Sequence, residues 1–320
     1  MLMAAGLGTR LRPFTQLEPK PLLPLMGIPM AQFSVDALSQ AGVRKIVANV
    51  HHQAERTRSG LNALDLGGAR LEISDESQLL LGSAGGIRKA LSQLGDGPFF
   101  LMNSDVLSNI NLEALQAHHR IMREMWQVTV TLTVLRAGPA SGNYTEILLD
   151  DERGLIRGLG AKARERPFFS GTAVVEPEAL HGLAEGVPVD FVEAILKPAI
   201  ERRQAGFHLA SDIWHDVGSP QLWLDAHVAM IRGLETGLLP RAWRVRLEQV
   251  NRRLASETWI SKRSERPAQT VEWSGPCYWD SEADPKTAAP GVLGPRAVIY
   301  GKVPEGGPFS DRISFRGVTP

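Results

Sequence analysis

Ala4-Ala5-Gly6-Leu7-Gly8-Thr9-Arg10-Leu11-Arg12-Pro13, followed after a short gap by Pro19-Lys20-Pro21-Leu22, is the stretch on which the reading of this chain turns. Two glycines directly after a short apolar start let backbone N–H groups approach a chain of phosphates, and Thr9, Arg10 and Lys20 add donors and positive charge. The string is not a dinucleotide-binding loop, because Leu11 stands where the third glycine belongs. Nor is it a P-loop, since no Gly-Lys-Ser/Thr follows. A bare Gly-x-Gly would mark no more than a tight turn.

Outward from this loop, short β-like runs alternate with amphipathic helical windows, the pattern of an α/β fold with a mainly parallel mixed sheet, Rossmann-like in plan. Met30, Phe33, Ala37, Leu38 and Ala41 recur at helical spacing until Gly42 supplies a stop, and Val43 to Val50 then reads as a strand. Ile87, Ala90, Leu91 and Leu94 repeat that stripe before Gly95, and Phe99 to Met102 suits a strand buried on both faces. Asn103-Ser104-Asp105 falls at its carboxyl end, where open α/β sheets place their ligand crevice. Val128 to Leu135, Phe168 to Gly171 and Val174-Val175 read as further strands, and Gln221 to Leu234 as a helix ending near Gly237 and Pro240. The expected division is a domain over 1–237, a partly helical linker over 238–270 and a tail over 271–320. Within the tail, Leu293 to Val298 and Ile299 to Pro304 form two six-residue units, which points to a short β-helix-like coil.

The loop and its partners in sequence order resemble the sugar nucleotidyltransferase family, whose motif reads LAAGxGTRL and then PKPL. The similarity is closest to the branch of N-acetylmuramic acid 1-phosphate and hexose 1-phosphate uridylyltransferases, and it spans roughly residues 1 to 235. It implies that the backbone of Ala4, Ala5 and Gly6 holds the nucleoside, that Gly8, Thr9 and Arg10 wrap the β- and γ-phosphates, and that Lys20 reaches the reacting phosphates. Asn103-Ser104-Asp105-Val106 resembles the family's NGDV and Trp214-His215-Asp216-Val217-Gly218-Ser219 its W-x-D-V-G-T, which makes Asp105 and Asp216 carboxylate ligands of Mg²⁺. Leu81 to Ile87 resembles the loop beneath the nucleobase, with Ser83 and Gly85 as nucleotide contacts, although Gly82 stands where relatives often carry a glutamate. By the same resemblance Asn103, Tyr144, Glu146, Ser170 and Gly171 face the sugar.

Physical chemistry agrees with this assignment. Mg²⁺ is usually held by one or two carboxylates together with substrate phosphates. A phosphate monoester is already nucleophilic at neutral pH, so a catalytic histidine is not required. His51-His52 and His118-His119 lack metal-site spacing and read as surface or helix-end residues.

The totals exclude other classes. Lys+Arg and Asp+Glu both number 35, which asks for neither nucleic acid nor an anionic membrane as partner. The single cysteine, Cys277, rules out an intrachain disulfide and suits a cytoplasmic setting, as does the want of a signal-like start. A local basic excess over 241–266 reads as a solvated linker face. The implied substrates are a sugar 1-phosphate and a nucleoside triphosphate, UTP before dTTP or CTP with GTP as the main alternative. The reason is that Ala4-Ala5-Gly6 resembles the loop start of uridylyl and thymidylyl enzymes and that the Ala5 methyl would narrow the slot beside the base. Homo-oligomer formation through the tail is the expected assembly. Rival readings are mannose- or heptose-1-phosphate guanylyl transfer, phosphocholine-type cytidylyl transfer, and a non-catalytic sugar-nucleotide-binding scaffold.

Overall fold

The computed structural model describes residues 1–136, 144–163, 166–262, 264, 272–273, 275–280, 292–293, 296–300, 310, 312–315 and 318–320. The chain divides into two compact units, one of Met1–Leu7 with Ala31–His215 and one of Gly8–Met30 with Asp216–Pro320. No helix among the described residues is long and apolar enough to cross a membrane.

The first unit is a nine-stranded mixed sheet in the order Arg70–Asp75, Lys45–Val50, Leu2–Met3, Phe99–Asn103, Phe168–Val175, Val130–Leu135, Ala205–Ala210, Leu155–Ala163, Tyr144–Asp150. Its first four strands run parallel. Beyond them the sheet is mixed, as expected, with two strands reversed. Phe168–Val175 inserts antiparallel to both neighbours, Thr172 opposite Met102 and Ala173 opposite Leu132. Leu155–Ala163 is likewise antiparallel to both of its neighbours, while Ala205–Ala210 runs parallel beside Val130–Leu135. A strand buried on both faces carries no alternation to reveal its direction. Helices Gly82–Leu94 and Leu112–Trp126 belong to this unit, the first stopped by Gly95 at φ 92°, a left-handed position that a side chain would strain. The core gathers Val47, Ala84, Ile87, Leu101, Val130, Leu132, Val134, Val175 and Phe207. Burying each Val, Leu, Ile or Phe side chain of this set contributes about 1.5–3 kcal/mol.

The second unit joins two distant stretches of chain. Its N-terminal piece holds two 3₁₀ turns, Thr9–Leu11 and Lys20–Leu22, and a tight hairpin of Pro24–Leu25 with Ile28–Pro29. Its C-terminal piece holds helix Pro220–Thr236, capped at its start by the Ser219 hydroxyl and at its end by Gly237, then helix Arg241–Val250. After an antiparallel pair, Asn251–Ala255 with Thr258–Ser261, the chain stacks strands Thr258–Ser261, Cys277–Asp280, Ala297–Tyr300 and Arg312–Phe315 parallel and in register. The two six-residue units lie partly outside the described residues. Where described, Leu293 ends one short strand and Ile299 lies inside another.

Candidate active site

The four parallel strands of the first unit end at one edge, and Ala4, His51, Glu76 and Ser104 follow them there. The Ala4 N–H donates to the Asn49 side-chain oxygen at 2.8 Å. The Asn49 amide donates in turn to Glu76 Oε1 at 2.7 Å, and Glu76 Oε2 accepts the Leu81 N–H at 3.0 Å. Both side chains are 1% exposed, so each leaves water only because the other satisfies it. Together they bind the start of the glycine loop to the loop that opens helix Gly82–Leu94. Gly86 completes this arrangement, since a Cβ there would lie 2.5 Å from Glu76 Oε1 and 2.9 Å from Asn49 Nδ2. Neither Asn49 nor Glu76 was singled out from the sequence. An Asn one residue before the end of an apolar strand and a Glu just after another strand were the only signals available.

Ala4 and Ala5 are buried while Gly6 is exposed, and nothing stands within 4 Å of where a Gly6 Cβ would be. That leaves open backbone at the point where a nucleoside could be held. The start of helix Gly82–Leu94 is tied down by residues 187–191. The Val189 carbonyl accepts Ala84 N–H at 3.0 Å and Gly85 N–H at 3.2 Å, and the Ser83 hydroxyl donates to Asp190 at 3.0 Å while accepting Phe191 N–H at 2.7 Å. Ser83 therefore spends its hydroxyl on shaping this loop. Gly82 has φ +70° and a Cβ there would meet the Val189 carbonyl at 2.7 Å, so a glutamate would not fit in this backbone.

The residues expected to face the sugar gather in the same unit. A Cβ on Gly171 would lie 2.9 Å from Asn103 Nδ2. The Trp214 indole N–H donates to the Ser170 carbonyl at 2.8 Å, and Tyr144 stacks on Phe168 at 4.5 Å with Trp214 edge-on to both. Trp214 thus anchors Ser170 and Tyr144 at once. Glu146 lies opposite Phe168 in the strand pairing, over Gly160 and 4.0 Å from the Arg166 guanidinium. Asp105 follows Ser104, whose hydroxyl donates to the Met3 carbonyl at 2.7 Å and so ties that turn to the first strand.

In the second unit Gly8 adopts φ +60°, and its carbonyl accepts the Thr15 hydroxyl at 2.9 Å. A Cβ on Gly8 would stand 2.7 Å from Thr15 Cγ2 and 3.4 Å from Lys20 Cβ, so the glycine brings the two turns of this segment together. Thr9 and Arg10 are exposed, Lys20 half-buried and Asp216 buried. A Cβ on Gly218 would fall 2.7 Å from an Arg10 guanidinium nitrogen and 2.8 Å from Asp216 Oδ1, which puts that cation and that carboxylate over one glycine.

No group of three His, Cys, Asp or Glu that could hold a metal occurs among the described residues. A hard cation shared with substrate phosphates needs only one or two carboxylates, and the chemistry of Asp105 and Asp216 fits that need. The histidines serve otherwise. His119 is buried, against the expectation of a surface position, with Nδ1 2.7 Å from the Thr131 hydroxyl and Nε2 3.2 Å from Glu176; burial pushes its imidazole below the usual range. His51 Nδ1 lies 2.7 Å from the Glu76 carbonyl.

Comparison with known proteins fits this geometry. The nucleotidyl transferase family profile matches residues 1–232. An N-acetylmuramate alpha-1-phosphate uridylyltransferase of Caulobacter vibrioides is 30% identical over 72% of this chain and 96% of its own length. A mannose-1-phosphate guanylyltransferase catalytic subunit beta of Drosophila pseudoobscura pseudoobscura is 27% identical over 76% of this chain and 65% of its own length. Among solved structures, a UDP-glucose pyrophosphorylase of Acinetobacter baumanii shares the fold at TM-score 0.60 and 17% identity, covering 78% of this chain and 96% of that one. With this likeness over most of its length, the chain belongs to the nucleotidyl transferase family of enzymes, among the sugar-1-phosphate nucleotidyltransferases.

Proposed function

We propose that the enzyme joins UTP to a sugar 1-phosphate and releases pyrophosphate. The observation that carries this reading is the glycine loop itself: Ala4 is tied by its amide, the Ala5 methyl is buried, and Gly6 is open where a nucleoside could lie. A buried methyl at the second position favours a pyrimidine over a purine on grounds of size. The similarity to a uridylyltransferase over 96% of that protein's length supports the same choice.

In the proposed reaction an oxygen of the sugar phosphate bonds to the α-phosphorus, and the bond from that phosphorus to the bridging oxygen of pyrophosphate breaks. Arg10 and Lys20 meet the charge that grows on the leaving pyrophosphate. Asp105 and Asp216 would hold Mg²⁺, which when bound supplies Lewis-acid neutralisation of the phosphoryl oxygens. Asn103, Ser170, Gly171 and Tyr144 line the sugar side, with Glu146 as a hydroxyl acceptor. The stretch 271–320 is read as a short β-helix-like tail through which copies of the chain associate, in a cytoplasmic protein.

The test is pyrophosphate release from UTP, dTTP, CTP, GTP and ATP against a panel of sugar 1-phosphates. UTP should give the highest kcat/KM. The similarity to a mannose-1-phosphate guanylyltransferase makes GTP the second reading, and a tenfold advantage for GTP would establish it. Binding without pyrophosphate release from any pair would favour a scaffold.

A further inference from the structure

We propose that Tyr300, in the C-terminal strand ladder, is a positioning residue for the segment that carries Arg10 and Lys20. The proposal rests on the phosphate-handling role given to that segment above.

Within the second unit, Lys20 is bracketed by two anchored points. On one side Phe14 is fully buried, with its ring 5.2 Å from Trp223 and 6.5 Å from Phe315. On the other side lies the hairpin turn Pro24 to Gly27, and four side chains from the C-terminal piece bond to its backbone. Trp223 Nε1 donates to the Pro24 carbonyl at 2.9 Å. The Tyr300 hydroxyl lies 3.2 Å from that carbonyl and accepts the Gly27 N–H at 3.3 Å. His227 Nε2 accepts the Met26 N–H at 3.2 Å, and the Asn251 amide donates to the Met26 carbonyl at 2.8 Å.

Tyr300 is the centre of this grip. Its hydroxyl is 2.6 Å from His227 Nε2, while His227 Nδ1 lies 2.8 Å from the Trp223 carbonyl. Carbonyl oxygen only accepts, so Nδ1 carries the proton and Nε2 is the acceptor. Its ring stacks on Trp223 at 6.0 Å and 5°, and meets Phe315 at 5.9 Å. A merely space-filling tail would need only apolar surface. Here polar tips from Tyr300, Asn251 and His227, all buried, are aimed at the backbone of one turn. Buried polar networks of this kind fix a single geometry, because every alternative leaves a group unsatisfied. The geometry so fixed is that of the turn that follows Lys20, and Phe14 extends the hold toward Arg10. The ladder is thereby part of the working enzyme and more than a site of assembly.

The test compares full-length Tyr300→Phe, which keeps the ring and removes the hydroxyl, with Trp259→Phe. Trp259 belongs to the same ladder, and its indole N–H donates to Glu235 at 3.0 Å, in helix Pro220–Thr236 and not in the turn. In Tyr300→Phe, amide hydrogen exchange at Leu22, Leu23, Met26 and Gly27 should quicken by about tenfold or more, and kcat should fall by a similar factor with nucleotide KM within threefold. Trp259→Phe should leave both readouts near wild type. Phe315→Leu, which thins the packing on Phe14, should act in the same direction as Tyr300→Phe. Unchanged exchange at those amides in Tyr300→Phe, or equal losses of kcat in Trp259→Phe, would overturn the proposal. Exchange needs no substrate, so it decides the anchoring even if the wild-type enzyme turns over none of the panel, which is the separate failure of the reaction assigned above.

Discussion

The Ala4 amide and the Asn49 side-chain oxygen are bonded at 2.8 Å, so the glycine loop starts from a point fixed to the neighbouring strand. Asn49→Ala strands the Ala4 N–H and one Glu76 oxygen in a dry site, a penalty of about 1–3 kcal/mol. The expected outcome is a nucleotide KM raised about tenfold with kcat within threefold. Steady-state kinetics with the best substrate pair measures both, and a fall in kcat alone would show that the pair does not shape nucleotide binding.

Gly218→Ala pushes a methyl against the Arg10 guanidinium and the Asp216 carboxylate. Both are side-chain ends that can swing aside, so the fold should survive with a melting temperature near wild type. Turnover should fall about tenfold or more, because the two groups are displaced together. Arg10→Ala should likewise lower kcat more than it weakens nucleotide binding, as expected of a cation that meets charge growing in the transition state.

Asp105→Ala and Asp216→Ala should yield folded proteins with about a hundredfold or greater loss of turnover, and activity should vanish with a chelator and return with Mg²⁺ or Mn²⁺. Near-normal rates in either variant would remove that aspartate from the metal site.

Burial lowers the His227 imidazole from 6.5 to about 4. Between those values the unfolded chain takes up a proton that the folded chain refuses, so stability is whole above pH 6.5 and declines as the solution is acidified toward pH 4. The total loss is about 3 kcal/mol. Melting temperature followed from pH 7 to 4 should show this slope, and His227→Gln should flatten it while sparing an acceptor for Met26.

Much of the first unit was legible in the sequence because its signals are local. Gly42 and Gly95 end helices where expected, as Gly237 does in the second unit, and all three have positive φ. The Phe99–Asn103 strand matches its continuous apolar run. The Asn49–Glu76 pair was not legible, since it joins side chains 27 positions apart and neither leaves a periodic trace. The antiparallel insertion of Phe168–Val175 escaped for a related reason: its residues are buried on both faces, and hydrophobicity alone has no direction. Most hidden was the membership of Gly8–Met30 in the same unit as the C-terminal stretch. The motif marks those residues by resemblance, and nothing in it tells what they pack against.

That membership sets a timetable for synthesis. Met26 leaves the ribosome 225 residues ahead of Asn251, the side chain that satisfies its carbonyl. At ordinary elongation rates the gap is roughly 10 to 45 seconds. Until it closes, the segment bearing Arg10 and Lys20 lacks the partners that hold the turn after it, and the emerging polypeptide must carry that stretch unsupported.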